Sequence, residues 1–347
     1  STWSQGFRVP SFNEAFGLPT TGFVTSVIPC TNATYTAFCT AHGGTGNSYV
    51  GNSYSIGLTN SGNPSLKPEK SNSYTAGLIW EPMKNVSFTV DYWNIKIKGL
   101  IKGVTADSQI IAQWYATNGN ANIPGIVLIP DTVDQAFPNA LPRLGFIQAS
   151  FQNLDWQKAS GLDFGATVSM PIASTGVTWR SAFDASYMLN LSEVISGSVN
   201  HYEGTLSPCD VTSCSGAPSW RATWQNSFEY GKTTTSLTAY WTKGYDNASV
   251  DYGGVKGDCA NNVGASVQTF ANGDPQACTS PDVWNVDLTM RYKATDKVTI
   301  YGDVLNVLDL KAKFDPASTY QIFGFNPSWS SPNIMGRYFR IGAKLDL

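Results

Sequence analysis

The chain has 347 residues, a formal net charge of −3 and only 14% charged residues, so it presents no basic field for nucleic acid. It contains no apolar run of the roughly 18 residues that would predict a transmembrane helix. A large β-sandwich and a membrane β-barrel both fit this composition, because the spanning strands of a barrel are only half apolar.

Strands are predicted wherever apolar and polar residues alternate with a period of two. In residues 177–190, for example, Trp179 and Phe183 lie on one side, and Arg180 and Asp184 lie on the other. Trp and Tyr are frequent near the strand ends, as in the aromatic girdles of membrane barrels. The pattern predicts an all-β protein of about ten strands, near residues 1–9, 71–81, 85–98, 145–170, 176–192, 219–230, 233–245, 282–293, 297–308 and 336–347.

Short and long connections between these strands alternate along the chain. The short connections are residues 82–84, 171–175, 231–232 and 294–296. The long connections are residues 10–70, 99–144, 193–218, 246–281 and 309–335. Because neighbouring strands of an antiparallel meander reverse direction, every short turn lies at one end and every long loop at the other. This arrangement is typical of a transmembrane antiparallel β-barrel with periplasmic turns and extracellular loops.

Two local patterns stand apart from the simple strand prediction. In Val86–Lys98 the apolar side changes after Tyr92, so that Trp93 and Ile95 fall on the opposite face. A β-bulge and a strand that projects beyond the bilayer both explain this change. Weak helical periodicity appears around Asp107–Ala116, inside a long connection.

The cysteines form three local pairs, all in long connections: Cys30/Cys39, Cys209/Cys214 and Cys259/Cys278. A zinc site is disfavoured, because the spacings are not Cys-x2-Cys and neither His42 nor His201 completes a ligand set. Three local disulfides are predicted, each stabilising its loop by roughly 2–3 kcal/mol. They indicate an oxidising, exported location, and no metal site is expected.

Several segments resemble one family when taken in order along the chain. They are GFRVPSFNEAF at 6–16, NPSLKPEKSNSYTAGLIWEP at 63–82, GLDFGATVSM at 161–170 and DVLNVLD at 303–309. Together they are similar to the second half of the barrel of TonB-dependent outer-membrane receptors, and they extend over nearly the whole chain.

The resemblance implies a 22-stranded barrel with a plug inside it, of which this chain supplies about the last ten strands. Residues 1–347 are therefore predicted to be the C-terminal part of a single barrel domain, with the plug and the earlier strands outside this sequence. The expected partners are outer-membrane lipid, the rest of the barrel with its plug, the TonB–ExbB–ExbD machinery that acts through the plug, and the β-barrel assembly machinery. No cofactor is expected.

The last strand resembles the signal through which the family's barrels are recognised for assembly. The positions of this signal correspond to Arg340, Gly342, Leu345 and Leu347 of this sequence. Leu347 departs from the aromatic residue that usually ends the signal. The apolar side that begins at Phe339 is expected to meet lipid, and the polar side is expected to face the lumen. The long loops are predicted to be extracellular and the C-terminus periplasmic, in the outer membrane of a Gram-negative bacterium.

No convincing catalytic set occurs, so no enzyme is predicted. His42 and His201 fall in loops and are interpreted as solvated surface. Aromatic loop residues suit stacking on a ligand ring. The candidates for small-molecule binding are Trp114, Tyr115, Tyr202, Tyr245, Tyr252, Phe323 and Trp329.

The function that the resemblance implies is active uptake of a scarce, bulky ligand: a ferric siderophore, cobalamin, an oligosaccharide or a peptide. One alternative is a passive porin or a structural barrel of the outer membrane or surface layer. A second alternative is a secreted, β-rich adhesin or lectin. TonB-independent conductance would favour the first alternative, and recovery without detergent would favour the second.

Overall fold

The computed structural model describes residues 1–104, 108–195, 198–208, 216–248, 250, 256–257, 277–313 and 333–346. The strands within these ranges are β1 Thr2–Arg8, β2 Thr20–Ser26, β3 Tyr54–Ser61, β4 Glu69–Met83, β5 Val86–Lys102, β6 Ile126–Pro130, β7 Leu144–Ser150, β8 Gln152–Ile172, β9 Val177–Ile195, β10 Ser198–His201, β11 Trp220–Tyr230, β12 Thr233–Thr242, β13 Val283–Lys293, β14 Val298–Leu305 and β15 Tyr338–Leu345. The helices are α1 Phe12–Phe16, α2 Ala33–Ala41, α3 Ser48–Gly51 and α4 Ser108–Ala116. Across the described part of the chain, no helix combines the length and apolar character needed to cross a membrane.

Ten strands form one antiparallel sheet in the order β1-β4-β5-β8-β9-β11-β12-β13-β14-β15, and β10 pairs with β9 beside it. This confirms the predicted meander of about ten strands. The strands at the two ends of this order are β1, which pairs with β4, and β15, which pairs with β14. Within the described residues, β1 and β15 do not pair with each other. The sheet is therefore an open section of wall, not a closed barrel.

One face of this main sheet is apolar and exposed. Trp224, Met290 and Ile341, on three different strands, are 51%, 53% and 85% exposed. A soluble protein rarely exposes such a wide apolar face, whereas a transmembrane barrel presents it to lipid. The alternation predicted from the sequence therefore corresponds to a lipid-facing side and a polar side.

The polar side carries hydrogen bonds and ion pairs between neighbouring strands. Arg180 Nε donates to Glu229 Oε1 at 3.0 Å, and Arg340 Nε donates to Asp303 Oδ2 at 2.7 Å. Asp303 is buried, so its carboxylate depends on Arg340 for charge compensation. Arg340 thus lies on the polar face, as expected.

The change of apolar side in β5 occurs in a strand long enough to leave the apolar band, and the nearby register shift lies between β8 and β9, at Ser160/Gly161, and not in β5 itself. Tyr92 pairs with Leu162 and Trp93 with Gly161, so the register with β8 is continuous through the change. β5 is 17 residues long, against the roughly 9–11 residues that span a bilayer. The far end of β5 therefore extends beyond the apolar band.

The predicted strand at residues 145–170 is wrong in one respect, because two strands occupy it. β7 leaves the main sheet and pairs in parallel with β3, and β8 then enters the main sheet. The second sheet has four strands in the order β2-β3-β7-β6. Helix α4 confirms the helical periodicity within the second long connection.

Candidate functional site

The first two long connections fold together into a loop subdomain, defined here as residues 20–61 and 108–150. Its second sheet packs one face against α2 and α4, and Ile56, Leu144 and Ile147 are fully buried between them. Apolar burial of this kind stabilises the arrangement independently of the membrane wall. The buried core comprises Ile28, Tyr35, Phe38, Cys39, Val50, Tyr54, Ile56, Leu58, Ile110, Trp114, Tyr115, Leu144 and Ile147.

Two of the predicted ligand-binding residues, Trp114 and Tyr115, lie inside this core. They are 5% and 7% exposed. Trp114 Nε1 donates to the carbonyl oxygen of Pro142 at 2.9 Å, and the hydroxyls of Tyr115 and Tyr54 are 3.0 Å apart. Burial raises the pKa of Tyr54 to about 12. In this conformation both rings pack the subdomain and do not form its surface.

Tyr202 and Tyr245 are also buried, each 1% exposed, where two other long connections meet. The backbone N–H of Asp246 donates to the carbonyl of Gly204 at 2.8 Å and joins these connections. The remaining aromatic candidates, Tyr252, Phe323 and Trp329, lie outside the described residues. Ligand binding by any of these seven side chains therefore stays a prediction.

One predicted disulfide is present, between Cys30 and Cys39, with its Cα atoms 5.8 Å apart. It links the segment just before α2 to the last turn of that helix inside the loop subdomain. Cys278 is also disulfide-bonded. Its predicted partner Cys259, together with Cys209 and Cys214, lies outside the described residues.

The interpretation of His42 as a solvated surface residue is wrong. Its side chain is fully buried, with Nδ1 2.8 Å from Asp134 Oδ2 and Nε2 2.9 Å from the carbonyl oxygen of Leu141. A carbonyl only accepts, so Nε2 donates to Leu141, and Nδ1 lies within hydrogen-bond distance of the carboxylate. The ring is a structural crosslink between α2 and the segment before β7. His201, by contrast, is 58% exposed, as expected.

Asp134 is held by several donors at once. Burial alone would raise its pKa, but hydrogen bonds from His42, the backbone of Ala136 and the side chain of Asn47 outweigh burial and lower the pKa. The amide of Asn47 lies 2.6 Å from Asp134 Oδ2 and also donates to the backbone carbonyl of His42 at 2.9 Å. The three side chains form one buried polar cluster, which fixes the two connections against each other.

The other face of the second sheet is exposed and partly aromatic. Phe23, Gly57 and Phe146 are direct neighbours across three strands, and a Cβ on residue 57 would collide with the Phe146 ring. Phe146 therefore lies flat over Gly57, with its centroid 6.4 Å from that of Phe23, which is 66% exposed. Val127, 58% exposed, extends this aromatic face on β6.

Hydroxyl groups border the aromatic face. The Oγ1 atoms of Thr21 and Thr59 are 2.6 Å apart on the same side of the sheet, beside the exposed Gln148. The sequence pattern does not predict this face, because it places Phe146 in a strand of the membrane wall and Phe23 in a long connection. The usable signal was Gly57, since a glycine inside a strand often marks a close approach.

Three residues of the predicted assembly signal lie in the terminal strand, β15. Arg340 faces Asp303, Gly342 lies under the Tyr301 ring, where a Cβ would collide, and Leu345 is 60% exposed on the lipid side. Leu347 lies outside the described residues. Recognition of this strand by the assembly machinery stays a prediction.

A family model described as TonB dependent receptor-like, beta-barrel matches residues 1–307. The chain belongs to this family. A search of curated proteins gave no match. Among solved structures, this TonB-dependent receptor barrel resembles the siderophore receptor PirA from Acinetobacter baumannii, with a TM-score of 0.52 and 13% identity over 99% of this chain and 38% of that one.

A second similar structure is a mutant of the ferric enterobactin receptor PfeA from Pseudomonas aeruginosa in complex with enterobactin. Its TM-score is 0.51, with 13% identity over 99% of this chain and 37% of that one. The chain thus spans less than two fifths of the length of these receptors. At this identity the likeness establishes the fold: the main sheet is a section of the wall of a TonB-dependent receptor barrel, a family of outer-membrane proteins.

Proposed function

We propose that the protein binds a bulky ligand at the long-loop end of its barrel and imports it through the lumen in a TonB-dependent cycle. The observation that carries this proposal is a loop subdomain with its own buried core on the wall of a TonB-dependent receptor barrel. In this proposal residues 1–347 form the C-terminal part of the barrel domain. The plug, the TonB–ExbB–ExbD machinery and outer-membrane lipid are its partners.

The rigidity of the loop subdomain supports ligand capture rather than passive diffusion. A disulfide, the cluster of His42 with Asp134, and an apolar core hold the two connections in one arrangement. A surface ordered before binding loses less conformational entropy when the ligand arrives. A simple pore has no need for such an ordered surface beside its wall.

The chemistry of the aromatic face, which is defined by Phe23, Phe146 and Val127, indicates which class of ligand the protein binds in this proposal. An apolar surface of two aromatic rings arranged edge to face, bordered by hydroxyl and amide groups, suits a ligand with aromatic rings and hydroxyl groups. Ferric siderophores fit this description better than purely aliphatic solutes, and both similar structures are named as siderophore receptors or as a ferric enterobactin receptor. We therefore assign a ferric siderophore as the first ligand to test. The cycle binds and releases the ligand without changing its bonds.

The function is tested by uptake in whole cells under iron limitation. Accumulation of iron-55 from a panel of ferric siderophores is compared in the parent strain, a strain lacking this gene, and a strain lacking TonB. For at least one siderophore, we expect accumulation to fall to background in both mutants and to return on complementation. Uptake that depends on this gene but continues without TonB would instead establish a passive porin.

The aromatic face is tested by binding of that siderophore to the purified, full-length protein. Phe23→Ala with Phe146→Ala is expected to weaken binding about tenfold, since each aromatic contact contributes about 0.5–1.5 kcal/mol. The matched control is Phe12→Ala with Phe16→Ala, a second exposed pair with ring centroids 5.5 Å apart. Equal affinity of the two double variants would reject this face as the binding surface.

A further inference from the structure

Four lysines lie on the outward face of neighbouring strands, just beyond the lipid-facing band. Lys70 on β4 pairs directly with Lys98 on β5, and Lys96 on β5 pairs directly with Lys158 on β8. All four side chains therefore point to one side within two rows of the sheet. We call these residues the lysine cluster.

The lysine cluster lies on the same face as the apolar residues that meet lipid. Moving along β5 from Tyr92, alternate residues on this face are Asn94, Lys96 and Lys98. Tyr92 lies beside Leu162 in the register, and Asn94 lies beside Ser160. The order along the face is thus apolar, then neutral polar, then cationic. That order matches the passage from acyl chains to headgroups in a membrane.

Within the described residues, none of the four ammonium groups has an ion-pair partner. The nearby acidic residues Glu69, Asp91 and Asp155 alternate onto the opposite, lumen-facing side of the same strands. Lys96 Nζ lies 4.3 Å from the centroid of the Trp156 ring, which positions the cation without neutralising it.

Like charges placed directly opposite each other across two strands are destabilising. Two such pairs stand side by side here, so a multivalent anion at this position would relieve repulsion in both. We propose that the lysine cluster binds the phosphate groups of an anionic membrane lipid in the leaflet at the long-loop end. The proposal rests on the membrane placement of the wall, and not on the identity of the imported ligand.

A lipid suits this site better than a soluble phosphate because the cluster continues an apolar surface. Acyl chains can pack on the band that contains Tyr92 and Leu162 while the phosphates reach the ammonium groups two and three rows above. Asn94 lies between these levels, Asn72 lies in the row of Lys96 and Lys158, and both add amide donors for phosphate or sugar oxygens. The combined contact needs both an apolar tail and at least two negative charges.

The test measures lipid binding to purified, full-length protein in detergent by native mass spectrometry. The probes are lipid A with two phosphates and lipid A with one. We expect the two-phosphate form to bind at least about tenfold more tightly at low salt, since each lysine near an anionic lipid surface contributes about 1 kcal/mol. Raising the salt concentration should reduce this preference.

The deciding variant is Lys70→Gln, Lys96→Gln, Lys98→Gln and Lys158→Gln, which is expected to lose the preference for two phosphates. Its matched control replaces four exposed lysines at the short-turn end and is expected to keep the preference: Lys84→Gln, Lys232→Gln, Lys293→Gln and Lys297→Gln. A variant with arginine at the four cluster positions retains the charge and should also keep it.

Three results would overturn the proposal. One is equal binding of the two lipid A forms by the unmodified protein, a measurement that needs no variant to fold. Another is a preference that survives in the glutamine variant of the cluster. The third is competition by inorganic phosphate at the same concentration as the lipid, which would assign the site to a soluble anion. No imported ligand or TonB is present, so a failure here is separate from failure of the uptake experiment.

Discussion

His42 Nδ1 lies 2.8 Å from Asp134 Oδ2, although the two residues are 92 positions apart in the chain. The contact is buried and connects the first long connection to the second. With Asn47 and the carbonyl of Leu141, it satisfies polar groups that would otherwise be costly inside the loop subdomain. The order of the proposed ligand-binding region therefore depends on a buried crosslink between its two connections.

Replacing the buried histidine is expected to loosen the loop subdomain. His42→Ala should lower the free energy of unfolding of the loop subdomain by about 1–3 kcal/mol, because buried hydrogen-bonding groups lose their partners. Hydrogen exchange of β3 and β7 amides in the detergent-solubilised protein measures this change. The matched control is His201→Ala at an exposed site, where the change should stay within about 0.5 kcal/mol. Equal protection in both variants would contradict the crosslink.

The disulfide should stabilise the same subdomain. Cys30 and Cys39 are separated by nine positions, and in the chain-entropy model a loop of this size contributes about 2–3 kcal/mol. Cys30→Ala with Cys39→Ala is expected to reduce protection of α2 by that amount. A reductant should have the same effect on the unmodified protein and no further effect on α2 in the double variant. Unchanged protection of α2 in the double variant would show that the core alone orders this helix.

Acid is expected to weaken the contact between β1 and α1. Arg8 donates to Glu14 at 2.8 Å, and this hydrogen bond, opposed by burial, lowers the pKa of Glu14 from 4.5 to about 2. Because folding lowers this carboxyl pKa, the stabilisation is complete above about pH 4.5 and is lost as the pH falls through about 2.

The measurement is the difference in free energy of unfolding between the unmodified protein and Glu14→Gln. This difference should be largest near neutral pH and vanish below about pH 2. In an Arg8→Gln background, the Glu14 substitution should have a much smaller effect at every pH, because its main partner is absent. A difference that grows on acidification would contradict this assignment.

The two sides of the wall should respond differently to a new charge. Leu288 lies on the apolar side between Leu237 and Val304, so Leu288→Lys should cost about 2–4 kcal/mol if it lies near the bilayer midplane. Thr289→Lys, one residue away, places the same charge on the polar side opposite Asp303 and should cost far less. Urea unfolding of the two proteins in lipid vesicles makes the comparison. A similar loss in both would mean that the lipid-facing side is assigned wrongly.

The strands of the wall could be predicted because their signal is local. In β8 and β9, up to the register shift at Ser160/Gly161, each residue's side of the sheet follows from its parity, and the short turn between the two strands fixes their pairing. The same local rule placed Arg340 on the polar face and Ile341 on the apolar face. Alternation with a period of two therefore predicts the face on which each residue lies from the strand's own sequence alone.

The long connections could not be predicted in the same way. As an aromatic residue in a long connection, Trp114 is predicted to contact a ligand, yet it is buried. Its burial depends on α2 and β3, which belong to a connection more than 50 residues earlier in the chain. Residue type and loop position do not reveal which distant segments will pack together.

The sequence by itself determined the antiparallel wall, its two faces, the placement of its short and long connections, and the family. Only the tertiary structure decided that two of those connections share one core, that His42 is buried against Asp134, and that Phe23 and Phe146 form an exposed face. The physical reason is the sequence distance over which the deciding contacts act. Strand alternation is set by neighbouring residues along one chain segment, whereas burial in the loop subdomain is set by contacts between segments about 90 residues apart.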